Sequence, residues 1–190
     1  MIHYTSDLHL GHANIIRHCS RPFTSVGEMD EKLIQNWNKK VHNDDTVYIV
    51  GDFIFRAPRK NVEEYLKALK GHKHLILGNH DRSWLKKLQN PEQYLDSIEP
   101  MLYITDKNHP VVLCHYPMMT WQSANRGGIM VYGHIHKNTH TAFWPLIARN
   151  SSMLNAGVDV NGFEPVSLEE MIENNNHFKE ANTIIRERQD

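Results

Sequence analysis

The chain has little cysteine: Cys19 and Cys114 are the two in 190 residues. A pair so far apart makes no disulfide framework, and two free thiols fit a reducing, cytoplasmic setting. Long apolar runs are missing too. Nothing approaches the ~20 residues that a membrane-spanning helix needs, and Met1 to Asp7 has no basic region leading into an apolar stretch. Membrane insertion and export are therefore not expected. An excess of charge of one sign is also absent, with a formal net charge of −1. The broad basic field that dominates nonspecific nucleic-acid binding is lacking, which disfavours a long polynucleotide partner. Neither Gly-x-Ser-x-Gly nor a Walker-type glycine-rich lysine loop occurs, and neither cysteine sits in a phosphate-cradling glycine loop. Nothing points to a serine or cysteine nucleophile, and Cys114 reads as a buried small hydrophobe. With no repeat, low-complexity tract or linker, and with 40% hydrophobic and 23% charged residues, one domain over residues 1–190 is expected.

What the chain has in excess is histidine, with fourteen. Five of them fall in short blocks: Asp7-Leu8-His9, Gly51-Asp52, Gly78-Asn79-His80-Asp81, His115 and Gly133-His134-Ile135-His136. Leaving His80 and Asp81 aside, these blocks hold two carboxylates, an amide and four imidazoles, without a thiolate. Such a mixed nitrogen and oxygen set suits borderline or hard divalent ions. Any one block alone reads as a turn with solvated side chains; five in order, each after an apolar run, read as a site. His3, His18, His42, His72, His74, His109, His140 and His177 lack such context and are read as surface or strand-end residues.

Residues 2 to 6 alternate as a strand that ends at Asp7. Ser25 and Glu28 have capping-box spacing, and Met29, Leu33, Trp37 and Val41 recur every four residues, which predicts a helix from about 26 to 42. Thr46 to Val50 is β-branched and apolar and runs into Gly51-Asp52. Asn61 and Glu64 repeat the capping box before Tyr65, Leu66 and Leu69, Gly71 stands where a helix stops, and Lys73 to Leu77 forms the next strand. Strand 46–50, helix 61–70 and strand 73–77 thus make a βαβ unit. Val111 to Cys114 and Ile129 to Tyr132 repeat the arrangement of strand followed by site residue. Leu154 to Val160 is read as a further strand, Ser167 and Glu170 as the opening of a short helix, and 20–27, 105–110 and 120–128 as loops. Ligands bind outside the carboxyl ends of strands in sheets with helical crossovers, so five strand ends feeding one rim is the expected placement for a site.

Asp7 and His9 are two apart, as are His134 and His136; in extended backbone that spacing puts both side chains on one side. Glycines 51, 78 and 133 permit sharp turns or close backbone approach. His12 and Arg17 lie close enough in sequence to reach substrate phosphate, though each also reads as a solvated first-helix residue. Trp84, Trp121 and Trp144 fit core, cleft wall or interface alike, and the oligomeric state is left open.

The ordered blocks resemble the signature of the calcineurin-like metallophosphoesterase superfamily: Asp-x-His, Gly-Asp, Gly-Asn-His-Asp/Glu, His, then Gly-His-x-His. The match covers residues 7 to 136, at the size of a small bacterial or phage-type member. The resemblance implies an α/β fold, a four-layer α/β/β/α sandwich of two mixed sheets flanked by helices. It implies that Asp7, His9, Asp52 and His136 hold one divalent ion and Asp52, Asn79, His115 and His134 a second, with Asp52 bridging. Manganese is the first expectation, and Fe, Zn, Ni or Co are alternatives. The implied reaction is hydrolysis of a small phosphodiester or phosphomonoester by water activated at the metals. His80 would protonate the leaving oxygen, with Asp81 orienting its ring. Arg56 occupies a place where the superfamily often carries a charged residue, and the apolar Phe53-Ile54-Phe55 before it argues against a phosphoprotein substrate.

Two other readings remain. A scaffold that kept the fold without catalysis needs no full ligand set, and here the set is complete. A nuclease would use the same chemistry on a polymer, with Arg17, Arg21, Arg56, Arg59, Lys60, Arg82, Lys86 and Lys87 as a local basic edge.

Overall fold

The computed structural model describes residues 1–55 and 62–187. Arg56, Arg59, Lys60 and Asn61 lie outside the described residues. Strands β1 (Ile2–Thr5), β2 (Thr46–Ile49), β3 (His72–Ile76) and β4 (Ser97–Glu99) form one sheet in that order, with every pair parallel. β5 (Leu102–Asp106), β6 (His109–Leu113), β7 (Ile129–Tyr132) and β8 (Met153–Asn155) form the other, antiparallel between β5 and β6 and parallel thereafter. The second sheet is mixed; in the first, the isolated Tyr4–Val166 bridge is antiparallel.

Period-two alternation builds the layers. Val111, Leu113, Ile129 and Val131 join Tyr4, Ile76 and Leu154 in a buried cluster between the sheets. Val112, Met130 and Tyr132, the residues in between, face Trp144, Ile147 and Phe178 of helices α5 (Trp144–Ala148) and α6 (Leu168–Glu187). On the far side of the first sheet, Val47, Ile49 and Leu75 pack with Met29, Leu33, Trp37, Tyr65 and Leu66. Those side chains come from α2 (Val26–Lys40) and α3 (Val62–Ala68). Of the three tryptophans left open above, Trp84 and Trp144 are core, and Trp121 donates its indole N–H to Gly128 at a loop.

The Ser25 hydroxyl accepts from the Glu28 amide, as a capping box requires, while Glu28 reaches back one residue further, to the amide and hydroxyl of Thr24. Ser167 and Glu170 make both arms of the box, but the helix they open is 20 residues long, not short. Residues 105–110, expected to be a loop, are a β-hairpin. Lys107 (φ 46°) and Asn108 (φ 72°) supply the two left-handed positions that a tight turn between twisted strands needs. The strand expected over 154–160 stops at Asn155, because Gly157 leaves β7, bridges to Ser6 and is held by the Asn155 side chain.

Gly71 has φ +85°, and a methyl group there would lie 2.8 Å from Val41 Cγ1 and 2.9 Å from the Asp45 carbonyl. Gly127 has φ +78° with open space around it. Both alanine variants share the left-handed penalty of ~1–2 kcal/mol. In urea unfolding Gly71→Ala should lose clearly more than Gly127→Ala; equal losses would remove the steric argument.

Candidate metal centre

The first sheet delivers Asp7, Asp52 and Asn79 just past the ends of β1, β2 and β3, and the second delivers His115, His134 and His136 just past β6 and β7. The chain does not run extended through these loops. Asp7 (φ 56°), His9 (52°), Asp52 (54°), His134 (69°) and His136 (49°) are all left-handed, although none is glycine. Backbone in that region costs of order 1–3 kcal/mol per residue and collects at functional sites. It persists here because neighbouring loops bond to each other: the Asp7 amide donates to Gly51 O at 3.0 Å, and the His9 amide to Asp52 O at 3.0 Å. A Cβ on Gly78 would strike the Asp52 carboxylate and amide, and one on Gly133 would strike Ser6 Oγ and the Asp7 carboxylate. These glycines serve close approach, as their place before the site residues suggested.

His9 Nε2 lies 3.9 Å from Asp7 Oδ1 and 3.7 Å from Asp52 Oδ2, and His136 Nε2 lies 3.8 Å from Asp7 Oδ1. His115 Nε2 lies 3.4 Å from Asp52 Oδ2 and 3.1 Å from Asn79 Oδ1, and His134 Nδ1 lies 2.9 Å from the same Asn79 oxygen. Two donor groups result, with Asp52 Oδ2 common to both. His134 and His136 do not face one donor group as an extended strand would place them: left-handed turns send His134 to Asn79 and His136 to Asp7.

The donors fit divalent cations. His9 is 2% exposed, yet neither ring nitrogen has a partner among the described residues, and a buried polar atom without a partner needs an explanation. Burial drives the His9 ring down to about 2, so it stays neutral, the form that binds a metal. His115 Nδ1 donates to the Val50 carbonyl, 2.9 Å away, which leaves Nε2 facing Asp52. Burial opposes its charge, but the Asp52 hydrogen bond and the Asp7 charge lift His115 to about 9. Burial pushes Asp52 up, and the hydrogen bond and charge of His115 bring it down to about 2. Asp7 and Asp52 thus create a negative field of the kind that attracts a dication.

His80 stands on the open side, its side chain 28% exposed and Nε2 3.9 Å from Asp52 Oδ2. Asp81 does something other than orient that ring. Its Oδ1 accepts from the Phe53 amide and Trp84 Nε1, and its Oδ2 from the amides of Asp52 and Gly78. Both oxygens are filled, so the carboxylate ties two site loops together instead. His12 stacks on Phe55 with ring centroids 3.6 Å apart and sits 5.4 Å from His9; burial and the His80 charge take it down to about 4. Arg17 is exposed on α1 (Ala13–His18), and Arg56 lies outside the described residues. His3, read as a surface or strand-end residue, is 2% exposed beside Asp45, because β1 is covered on both faces.

Sequence reasoning missed Asp159 and put Arg21 on a basic edge, whereas the structure buries it against Asp159. Asp159 Oδ2 lies 2.9 Å from His136 Nδ1, which aims His136 Nε2 at Asp7. Against burial, that hydrogen bond, with Cys19 and Asp7, raises His136 to about 10. Arg21, 4% exposed, grips Asp159 through Nε and Nη2 at 2.9 and 3.0 Å and donates to the carbonyls of Asp7 and Leu8. Asp159 follows β8 as the other site residues follow their strands, so the signal existed; extending that strand to Val160 hid it. Arg21 had no such signal.

Known proteins resemble this chain in sequence and in fold. The family model described as calcineurin-like phosphoesterase matches residues 2–151. An uncharacterized protein of Methanocaldococcus jannaschii is 35% identical over 169 residues, covering 88% of this chain and 87% of that protein. The gene 66 protein of Mycobacterium phage L5 is 27% identical, covering 95% and 97%. A crystal structure of a protein of unknown function from Aquifex aeolicus superposes with a TM-score of 0.68 at 26% identity, covering 91% of this chain and 98% of the other.

Carboxylates that orient metal-ligating imidazoles are worth ~10- to 100-fold in metal affinity. Asp159→Asn should weaken manganese binding by about that factor in calorimetric titration while the protein still melts cooperatively. Unchanged affinity would mean that His136 is not held through Nδ1.

Proposed function

This chain belongs to the calcineurin-like phosphoesterase family, and from that premise we propose that it hydrolyses a small phosphodiester or phosphomonoester with two divalent ions. Metal-dependent phosphoester hydrolysis goes with the family; the pair of ions, the substrate size and the residue roles are the reading advanced here. The observation that carries it is the position of Asp52, whose Oδ2 faces His9 on one side and His115 on the other. Asp7, His9 and His136 would complete one ion's donors, and Asn79, His115 and His134 the other's. When bound, such ions supply an activated water and neutralise charge on the phosphoryl oxygens.

The chain's own contribution is placement. Asp52 is fixed from both ends, since its Oδ1 accepts from the His80 amide at 2.9 Å while its own amide donates to Asp81. Its Oδ2 is left to face the two donor groups. The His80 ring, at the open edge, is placed to give a proton to the departing alkoxide. Asp81 acts through the loop backbone, so it is a positioning residue. His12 lies with Phe55 along the same wall, and Arg17 is exposed on the helix that follows it. Among the described residues no helix is long and apolar enough to cross a membrane. With a net charge of −1, a compact substrate suits the chain better than a polymer.

A screen of phosphate esters with manganese-reconstituted protein tests the reading. Hydrolysis of an activated aryl phosphodiester is expected. Asp52→Asn should lose the shared anion and most turnover, and full activity in that variant would overturn its assignment. His80→Ala should keep its metal content but lose ~10²- to 10⁴-fold in turnover of an alkyl phosphodiester, less with acidic leaving groups. Undiminished turnover of the alkyl ester would remove the proton-donor role.

A further inference from the structure

Among the described residues, Tyr116, Met119, Phe143 and Leu146 are exposed at 47%, 79%, 41% and 55%, an unusual display for large apolar side chains. They are not scattered. All four line one groove of about 560 Å³ whose wall includes His134. Buried Ile135, Ile147 and Met153 also line it. Tyr116 packs edge-on against the His134 ring with centroids 4.6 Å apart, so the groove opens directly from the proposed metal centre. On the other side of the Gly133–His136 loop, a second hollow has a mixed lining that includes His18, Cys19, His136, Lys137 and His140. His134, Ile135 and Phe143 belong to both. The site therefore has an apolar wing and a mixed one that meet at His134.

Resting on the phosphoesterase reading, we propose that the apolar wing holds an aromatic ring carried by the substrate's phosphoryl group. Three features select that occupant. The volume lies in the range of small-molecule pockets, ~300–1,000 Å³. Met118, Met119 and Met153 bring thioethers, and Tyr116 and Phe143 bring ring faces and edges, both favourable partners for an aromatic guest. The groove is continuous with the place where phosphorus would sit, within the reach of a ring attached to it. A second copy of the chain would need about 800 Å² of matched surface on each side, whereas these side chains surround a hollow.

Phosphonates test this without turnover, because their carbon–phosphorus bond is not hydrolysed. Phenylphosphonate and methylphosphonate carry the same charged head and differ in the ring alone. Binding to manganese-loaded protein is measured by calorimetry, with inhibition of aryl phosphodiester hydrolysis as the second readout. Phenylphosphonate should bind ~10- to 100-fold more tightly than methylphosphonate. Leu146→Asp and Met119→Asp, at exposed positions that leave the core intact, should each erase most of that preference while keeping methylphosphonate affinity. Equal binding of the two phosphonates by the unaltered protein would overturn the aromatic wing and leave the phosphoesterase reading standing. Failure of both to bind, together with absence of hydrolysis, would instead sink that reading and the wing with it. Light scattering closes the remaining route: a dimer that Leu146→Asp converts to monomer, with phosphonate preference unchanged, would make the groove a contact between copies and overturn the proposal.

Discussion

Two buried carboxylates set side by side govern this site. β1 and β2 run parallel with Thr5 opposite Ile49, so both chains leave the sheet at one edge and carry Asp7 and Asp52 there. They are 0% and 2% exposed. Like charges in a water-poor interior repel and raise each other's pKa unless positive charge lies close. The chain gives a partial answer. Imidazoles surround both acids, and the Arg21 guanidinium sits beneath, bonded to the Asp7 carbonyl. What remains is a dense set of carboxylate oxygens and imidazole nitrogens, the donor types that divalent cations take.

Around these acids the same device appears twice. Asp81 collects four N–H donors from the loops after β2 and β3, and Asp159 joins His136 to Arg21. Neither carboxylate needs to touch substrate to matter. Each uses its lone pairs to orient groups of the proposed site, so that the donors are already aimed and would lose little freedom on binding an ion or a phosphoryl group. The burial of Asp81 pushes its carboxyl up against the pull of those donors, which makes every one of the four bonds matter to the loop.

Much of this was legible before the structure. Strand residues alternate because one face must enter a core, and that pattern located β1, β2, β3, β6 and β7 together with the residues at their ends. Capping boxes at Ser25 and Ser167 located two helix starts. The illegible parts have physical reasons. β4 is three residues long and half-exposed, too short to show a period. The β5–β6 turn uses Lys107 and Asn108 in conformations that glycine usually marks. Asp-x-His and Gly-His-x-His spacing suggested extended backbone, yet the site residues are left-handed, because the turn is imposed by bonds from other loops and not by local preference. Asp81 shows the limit most sharply: its place after β3 was legible, while its partners, three backbone amides and the Trp84 indole, are advertised by no sequence pattern.

That imposed geometry explains why the glycines and the donors belong together. Five non-glycine residues at positive φ would each cost about 1–2 kcal/mol in a free loop. Here the His134 amide is held by the Asp7 carboxylate and the His136 carbonyl by the Asn155 side chain. The loops can bond this way because Gly51, Gly78 and Gly133 lack the Cβ atoms that would hold them apart. Within the site the left-handed residues sit in the rim loops, and the strands beneath keep ordinary pleated packing. A side chain added at one of these glycines would act first on the spacing between donors, which ties the metal-binding geometry to the Cβ atoms these positions lack.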